Sequence, residues 1–169
     1  MIQTDYVLLM ARYNAWQNNQ LRDALTGVDD AVLTTDRGAF FGTILRTLSH
    51  LLWGDAIWMS RLTDAVCSPD VPGAQSVSYT SSGPDWALRR QLMDQQIIDW
   101  AHSVTQANLG GEESWYSGAT QRDMVQPRWL CVTHMFNHQT HHRGQVSQML
   151  HAAGLTPPVS DIIFMPKDF

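Results

Sequence analysis

The sequence predicts an all-α chain, an antiparallel four-helix bundle with a short hairpin or loop before the last helix. Apolar residues recur at three- and four-residue steps over four long segments, Gly, Pro, Ser and Thr concentrate between them, and no internal repeat or low-complexity tract intervenes. With 169 residues, 44% of them hydrophobic, the chain has enough apolar mass for one packed core, so residues 1–169 are expected to form a single domain.

The first helix is expected from about Asp5 to Leu25. It carries Tyr6, Leu9, Met10, Tyr13, Trp16 and Leu21 at helical steps, with Thr4 available as an N-cap and Gly27 as a stop. The second, about Thr43 to Thr63, aligns Leu45, Leu48, Leu52, Met59 and Leu62 on one stripe. Between Cys67 and Gly83 the composition turns to Ser, Pro and Gly, a long loop that ends at Pro84, a residue suited to the first turn of a helix. The third helix then runs from about Asp85 to Asn108 through Trp86, Leu92, Met93, Ile97, Trp100 and Val104, and Gly110-Gly111 stops it. Trp115 to Val125 lacks a helical period and has turn residues in its middle, which fits a hairpin or an ordered loop. The fourth helix begins near Pro127 and reaches Ala153, before Gly154 and Pro157-Pro158. The tail from Val159 to Phe169 is apolar enough at Ile162, Ile163, Phe164 and Met165 to pack back on the bundle.

Composition excludes several classes of function. Net charge near −5, scattered arginines and a single lysine, Lys167, leave no basic stripe able to neutralise a run of phosphates, so no nucleic-acid partner is expected. No apolar run approaches the ~20 residues of a membrane span, and the opening MIQTDYVLLMARYNAW lacks a basic start with a small-residue cleavage site. A cytoplasmic protein is expected, with Cys67 and Cys131 as reduced thiols rather than a disulfide or Cys-x-x-Cys pair.

The chemistry concentrates in the fourth helix, where His134, His138, His141 and His142 fall within nine residues. His138 and His142 are four apart and share a face with Cys131, Met135 and Met149, so both rings point inward, at the spacing by which two imidazoles grip one metal ion. Two buried imidazoles without partners would leave ring nitrogens unsatisfied at about 1–3 kcal/mol each. Metal coordination removes that cost; hydrogen bonds inside the core are the alternative. A third ligand must come from another helix, and His50 on the second is the candidate. Thr43, Thr47 and Gly54 share its side of the wheel and would leave a cavity around its ring. Because His50 also lies nearly opposite the leucine stripe, an exposed histidine on a polar face is the competing assignment.

Two common metal motifs are absent. Gln139 stands where a His-Glu-x-x-His helix has its general base, and an amide cannot take a proton from water. The only glutamates are Glu112 and Glu113, in a Gly-flanked loop, which excludes a carboxylate di-iron bundle.

Asn137-His138-x-x-His141-His142-Arg143-Gly144-Gln145, together with Thr-Leu-Ser-His50, Tyr13-Asn14-x-Trp16-x-Asn18 and the tail from Ala152 to Asp161, resembles the DinB family along the whole chain. The resemblance implies a four-helix bundle, a homodimer, and one divalent ion on His50, His138 and His142. Zinc or nickel suits three imidazoles, with iron, copper or manganese compatible. The wider superfamily includes bacillithiol and mycothiol S-transferases and a mycothiol-dependent maleylpyruvate isomerase. The implied activity is that of a metal-dependent transferase or hydrolase that activates a small thiol or water, with a low-molecular-weight thiol as one substrate. The alternative is a non-catalytic, metal-stabilised, stress-induced module.

Several residues flank this site. His134, one turn before His138, is a neighbour of the ligands or a core histidine. His141, one residue out of phase, is expected to flank the site and hydrogen-bond elsewhere. Asp55 falls among the leucines of the second helix, where a carboxylate must be paired; it would orient a ligand imidazole or bond to Tyr or Trp. Arg143 lies well off the histidine face and is expected at the surface or in an inter-helix salt bridge. Cys131 sits about 10 Å along the helix from His138, too far to share the ion, and is assigned to the core. His102 and His151 are assigned to the surface.

Overall fold

The computed structural model describes residues 2–169. The chain runs α1 (Thr4–Leu25), α2 (Asp30–Thr34), α3 (Ile44–Leu62), α4 (Gly83–Ser103), α5 (Gln106–Leu109), β1 (Glu112–Ser117), β2 (Arg122–Pro127) and α6 (Arg128–Ala152), with 3-10 turns at Gly73–Ser78 and Ile162–Phe164. The four long helices form the bundle, and β1 and β2 pair antiparallel immediately before α6.

Helix ends follow local chemistry. Thr43 Oγ1 accepts from the Arg46 amide and Ser82 Oγ from the Asp85 amide, caps worth about 0.5–2 kcal/mol each. The third long helix is shorter than its apolar pattern predicts, because Val104 turns extended and Thr105 caps a new turn. Thr105 and Asn108 cap each other reciprocally, and so α5 is a separate element rather than the end of α4. The short α2, which has no long apolar period to announce it, is capped by Asp29 and fastened by the buried Leu33.

Helices α1 and α4 run antiparallel, joined by Asn18 to Asp94 (2.8 Å) and Arg22 to Gln91 (2.7 Å). So do α3 and α6, with Trp58 against His134, Gly54 against His138 and His50 against His142. The long connection after α3 carries the chain back along the bundle, so that α3 and α4 finish at one end, where Leu62, Thr63, Trp100 and Ser103 line a common cleft. Between the helices Leu21, Ile44, Leu48, Leu52, Met59, Trp86, Ile97, Met135, Phe136 and Val146 are fully buried, at about 1.5–3 kcal/mol for each large aliphatic or aromatic side chain.

The tail does return to the bundle, but not through its apolar residues. Ile163 and Phe164 remain 81% and 64% exposed. Polar side chains of α1 hold its backbone instead: Tyr13 Oη donates to Ser160 O (2.6 Å), Gln17 Nε2 to Val159 O (2.6 Å) and Arg12 to Lys167 O and Phe169 O. Leu92, read as a core position, is exposed on α4. Among the described residues no helix is long and apolar enough to cross a membrane.

Candidate metal centre

His138 and His142 project from consecutive turns of α6 towards α3, and His50 projects back from α3 to meet them. The three imidazoles each offer one nitrogen, and these nitrogens lie within 4.8 Å of one another. His50 Nε2 and His138 Nε2 are 3.1 Å apart, close to the about 3.3 Å edge of a tetrahedral shell with metal–nitrogen bonds of about 2.0–2.1 Å. Of the two assignments open for His50, the inward one holds. The room beside its helix is real but is not empty: a Cβ at Gly54 would come within 3.0 Å of His138 Cε1, so the imidazole of α6 occupies the space a side chain would take.

The far nitrogens of two rings are already engaged. His142 Nδ1 donates to Gln145 Oε1 at 2.7 Å, which fixes the tautomer and leaves the Nε2 lone pair facing the other two histidines. His50 Nδ1 shares a hydrogen bond with Ser76 Oγ at 2.9 Å. Ser76 is buried in the 3-10 turn of the long connection, and Gln145 lies one turn after His141; neither stands out as a site residue by type or spacing. Phe41 is a third neighbour the sequence did not single out, with its ring 4.3 Å from His50 and 5.4 Å from His142. The loop that carries it is pinned by Arg37, which donates to Val32 O and Thr35 O, and turns at Gly42, whose φ of +79° favours glycine.

Burial, followed by mutual repulsion of the rings, lowers the pKa of His50 to about 4 and of His138 to about 3; burial also lowers that of His142. All three are therefore neutral near pH 7, the state in which imidazole donates a lone pair to a metal. The donor set and its spacing fit one divalent ion.

The flanking residues divide. His141 bonds to the far side of Gln145 (3.4 Å) and does not enter the triad. His134 is not a core histidine: it is exposed, with its ring 5.8 Å from His138 and 5.3 Å from Trp58. Asp55 touches neither an imidazole nor Tyr or Trp; it pairs with Arg90 of α4 at 2.6 Å. Arg143 is the second correction. Instead of lying at the surface or in a salt bridge, it is buried and donates to the neutral amides Asn14 and Gln139. Both corrections share a cause, a polar cluster in the middle of the bundle that a single-helix wheel cannot reveal. Cys131 is buried, as assigned, and His102 and His151 are exposed.

A helical bundle with three neutral imidazoles converging from two helices defines a class of metal-site scaffold. The DinB family profile matches residues 1–167, and the chain belongs to the DinB family. It is 22% identical to Protein DinB of Bacillus subtilis (strain 168) over 170 residues, covering 97% of each chain. The crystal structure of a DinB-like protein from Bacillus cereus ATCC 10987 superposes with a TM-score of 0.61 at 20% identity, over 87% of this chain and 90% of that one, and so shares the fold.

Proposed function

We propose that the protein binds one divalent ion through His50, His138 and His142 and uses it to activate a small thiol or water for transfer to an electrophile. The observation that carries this proposal is the convergence of the three ring nitrogens with Ser76 and Gln145 holding two of the rings from behind. An ion held by His50, His138 and His142 would supply Lewis acidity, lowering the pKa of a thiol or water without a carboxylate base. Such a base is what this chain lacks beside the triad, since Asp55 is committed to Arg90 and Gln139 is an amide. In the thiol case the S–H proton passes to solvent, the sulfur pair forms the new bond to the electrophilic atom, and the leaving group departs with the pair of the bond that breaks. Phe41 covers one side of the rings and limits approach of bulk water from there. By analogy with the family, the working unit is a homodimer.

A second reading, a metal-stabilised module without catalysis, is favoured by one observation. Ser76 and Gln145 hold two of the rings from behind, which is the support a structural ion needs as much as a catalytic one. The two readings separate in one series. Metal-free protein is titrated with zinc and nickel, then assayed with a panel of low-molecular-weight thiols and electrophiles. One equivalent bound, lost in His138→Ala, with turnover only in the loaded wild type, is the expected result. Binding with no turnover across the panel removes the enzyme reading, and no stoichiometric binding removes both.

A further inference from the structure

The face of α3 that carries His50 continues through Gly54 and Trp58 to Arg61, at steps of four, four and three residues. Facing it on α6 is His134, one turn before His138. The rings form a contiguous, partly exposed row, two of its contacts edge-to-face: His138 to His134 at 5.8 Å, His134 to Trp58 at 5.3 Å, and Trp58 to Trp115 of β1 at 5.2 Å. At its end the Arg61 guanidinium lies 4.7 Å from the Trp58 ring centre and 5.1 Å from that of Trp115. Two indoles thus hold one cation.

The electrostatics around Arg61 are unbalanced. Burial lowers the Arg61 pKa, and Cys131 and then Glu113 oppose that; Glu113, the one carboxylate among them, is bonded to Arg128 Nε at 3.0 Å. Two guanidinium groups share one carboxylate, on a chain whose net charge is negative overall. Among the described residues Arg61 makes no hydrogen bond or ion pair, and burial opposes its charge. Fastening the hairpin to α3, and the preference of a helix C-terminus for a cation, account for the indole contacts and for the position of Arg61. Neither employs the N–H donors along the guanidinium edge, which match a carboxylate in the two-bond geometry.

We propose that Arg61, seated against the paired indoles of Trp58 and Trp115, is an anion-binding position that takes the carboxylate of a small organic acid whose flat or apolar body lies along Trp58 and His134 towards the triad. A phosphate is a poorer match, because the second cation it would need, Arg128, is already neutralised by Glu113. The proposal extends the metal-centre reading by naming a substrate class, and rests on that reading only for the direction the ligand takes; the carboxylate contact itself needs no metal.

The test uses the metal-free, 15N-labelled full chain, with 3-phenylpropionate and its neutral amide as probes, followed at the Arg61 Nε–Hε resonance. That resonance is assigned by its loss in Arg61→Lys. The acid is expected to move it saturably and to bind about tenfold or more tighter than the amide, a gap that Arg61→Gln closes. Because the measurement is made without metal and reads the Arg61 contact directly, failure of the metal site and failure of the anion position are read separately. Equal binding of acid and amide to the wild type, an Arg61 resonance unmoved by the acid up to tens of millimolar, or an Arg61→Gln protein that binds like wild type each overturns the proposal. The comparison of acid with amide is made on unaltered protein, so that arm stands whether or not Arg61→Gln folds.

Discussion

His50 and Asp55 stand five residues apart on α3, and their side chains enter polar clusters of different kinds. Asp55 joins a closed cluster at the centre of the bundle. Arg90 reaches Asp55 at 2.6 Å and Asp94 at 2.9 Å, the second an ion pair rather than an aligned hydrogen bond; Asn18 donates to Asp94 at 2.8 Å, and Asn14 accepts from Arg143. Two arginines balance two aspartates, and all four helices contribute through α1, α3, α4 and Gln139 and Arg143 of α6. His50 joins an open one, in which one nitrogen from each of three neutral imidazoles lies within 4.8 Å of the others and, among the described residues, no ion pair engages them. The closed cluster balances its charges within the fold, although Arg90 Nε and Asp94 Oδ2 find no hydrogen-bond partner among the described residues, whereas the open one gathers nitrogens that could hold a metal. Both are polar and at least partly buried, so burial alone does not distinguish them; the balance of charges does.

The sharpest break in this contrast comes from removing one member of the closed cluster. Arg90→Met leaves two carboxylates facing each other out of water, and urea unfolding is expected to show a loss of about 3–5 kcal/mol. A loss below 1 kcal/mol would mean that water reaches the cluster.

The open cluster should respond the other way. His138→Ala is expected to lower zinc affinity by at least about 100-fold in a competition titration while leaving the metal-free melting temperature nearly unchanged. A metal-free protein that unfolds as readily as Arg90→Met would place His138 in the closed class.

The pH dependence gives a third distinction. Burial raises the Asp94 carboxyl to about 6 against the pull of Arg90 and Asn18, with the charge of Asp55 adding to the rise. The folded state therefore holds more protons than the unfolded one between about pH 4 and 6, and this group's contribution to stability falls as pH rises through that window. The lowered imidazoles bias the metal-free protein in the opposite direction, so the Asp94 share is read as the difference between wild type and Asp94→Asn. That difference is expected to shift by up to about 2–3 kcal/mol across the window; parallel pH curves for the two proteins would remove the buried-carboxyl account.

The smallest effect belongs to the residues behind the rings. Gln145→Leu, which frees His142 Nδ1, is expected to weaken zinc binding by about tenfold with the fold intact. Gly54→Ala tests the same geometry from α3, since the added methyl meets His138 at 3.0 Å. An affinity unchanged in both would show that the rings need no support.

Periodicity made the four long helices legible, because each buries one face and punctuates its ends with Gly, Pro or a capping residue. The i,i+4 histidine pair was legible for the same reason. The hairpin was legible only as a hairpin or ordered loop, from its missing helical period and central turn residues. His50 was half-legible: its wheel position gave a choice between cavity and solvent, and only the approach of α6 against Gly54 decides it. Asp55, Arg90, Asn18 and Arg143 were illegible as a group, since each looks misplaced on its own helix and is explained only by partners on others. Ser76 lay in a segment read as loop, where nothing in Gly-Ala-Gln-Ser-Val-Ser marks which hydroxyl turns inward.

The most direct test is X-ray absorption at the zinc edge on protein loaded with one equivalent of zinc. Three imidazole rings at about 2.0–2.1 Å plus one lighter nitrogen or oxygen neighbour is the predicted shell. A sulfur neighbour, or fewer than two imidazoles, would contradict a centre built from His50, His138 and His142.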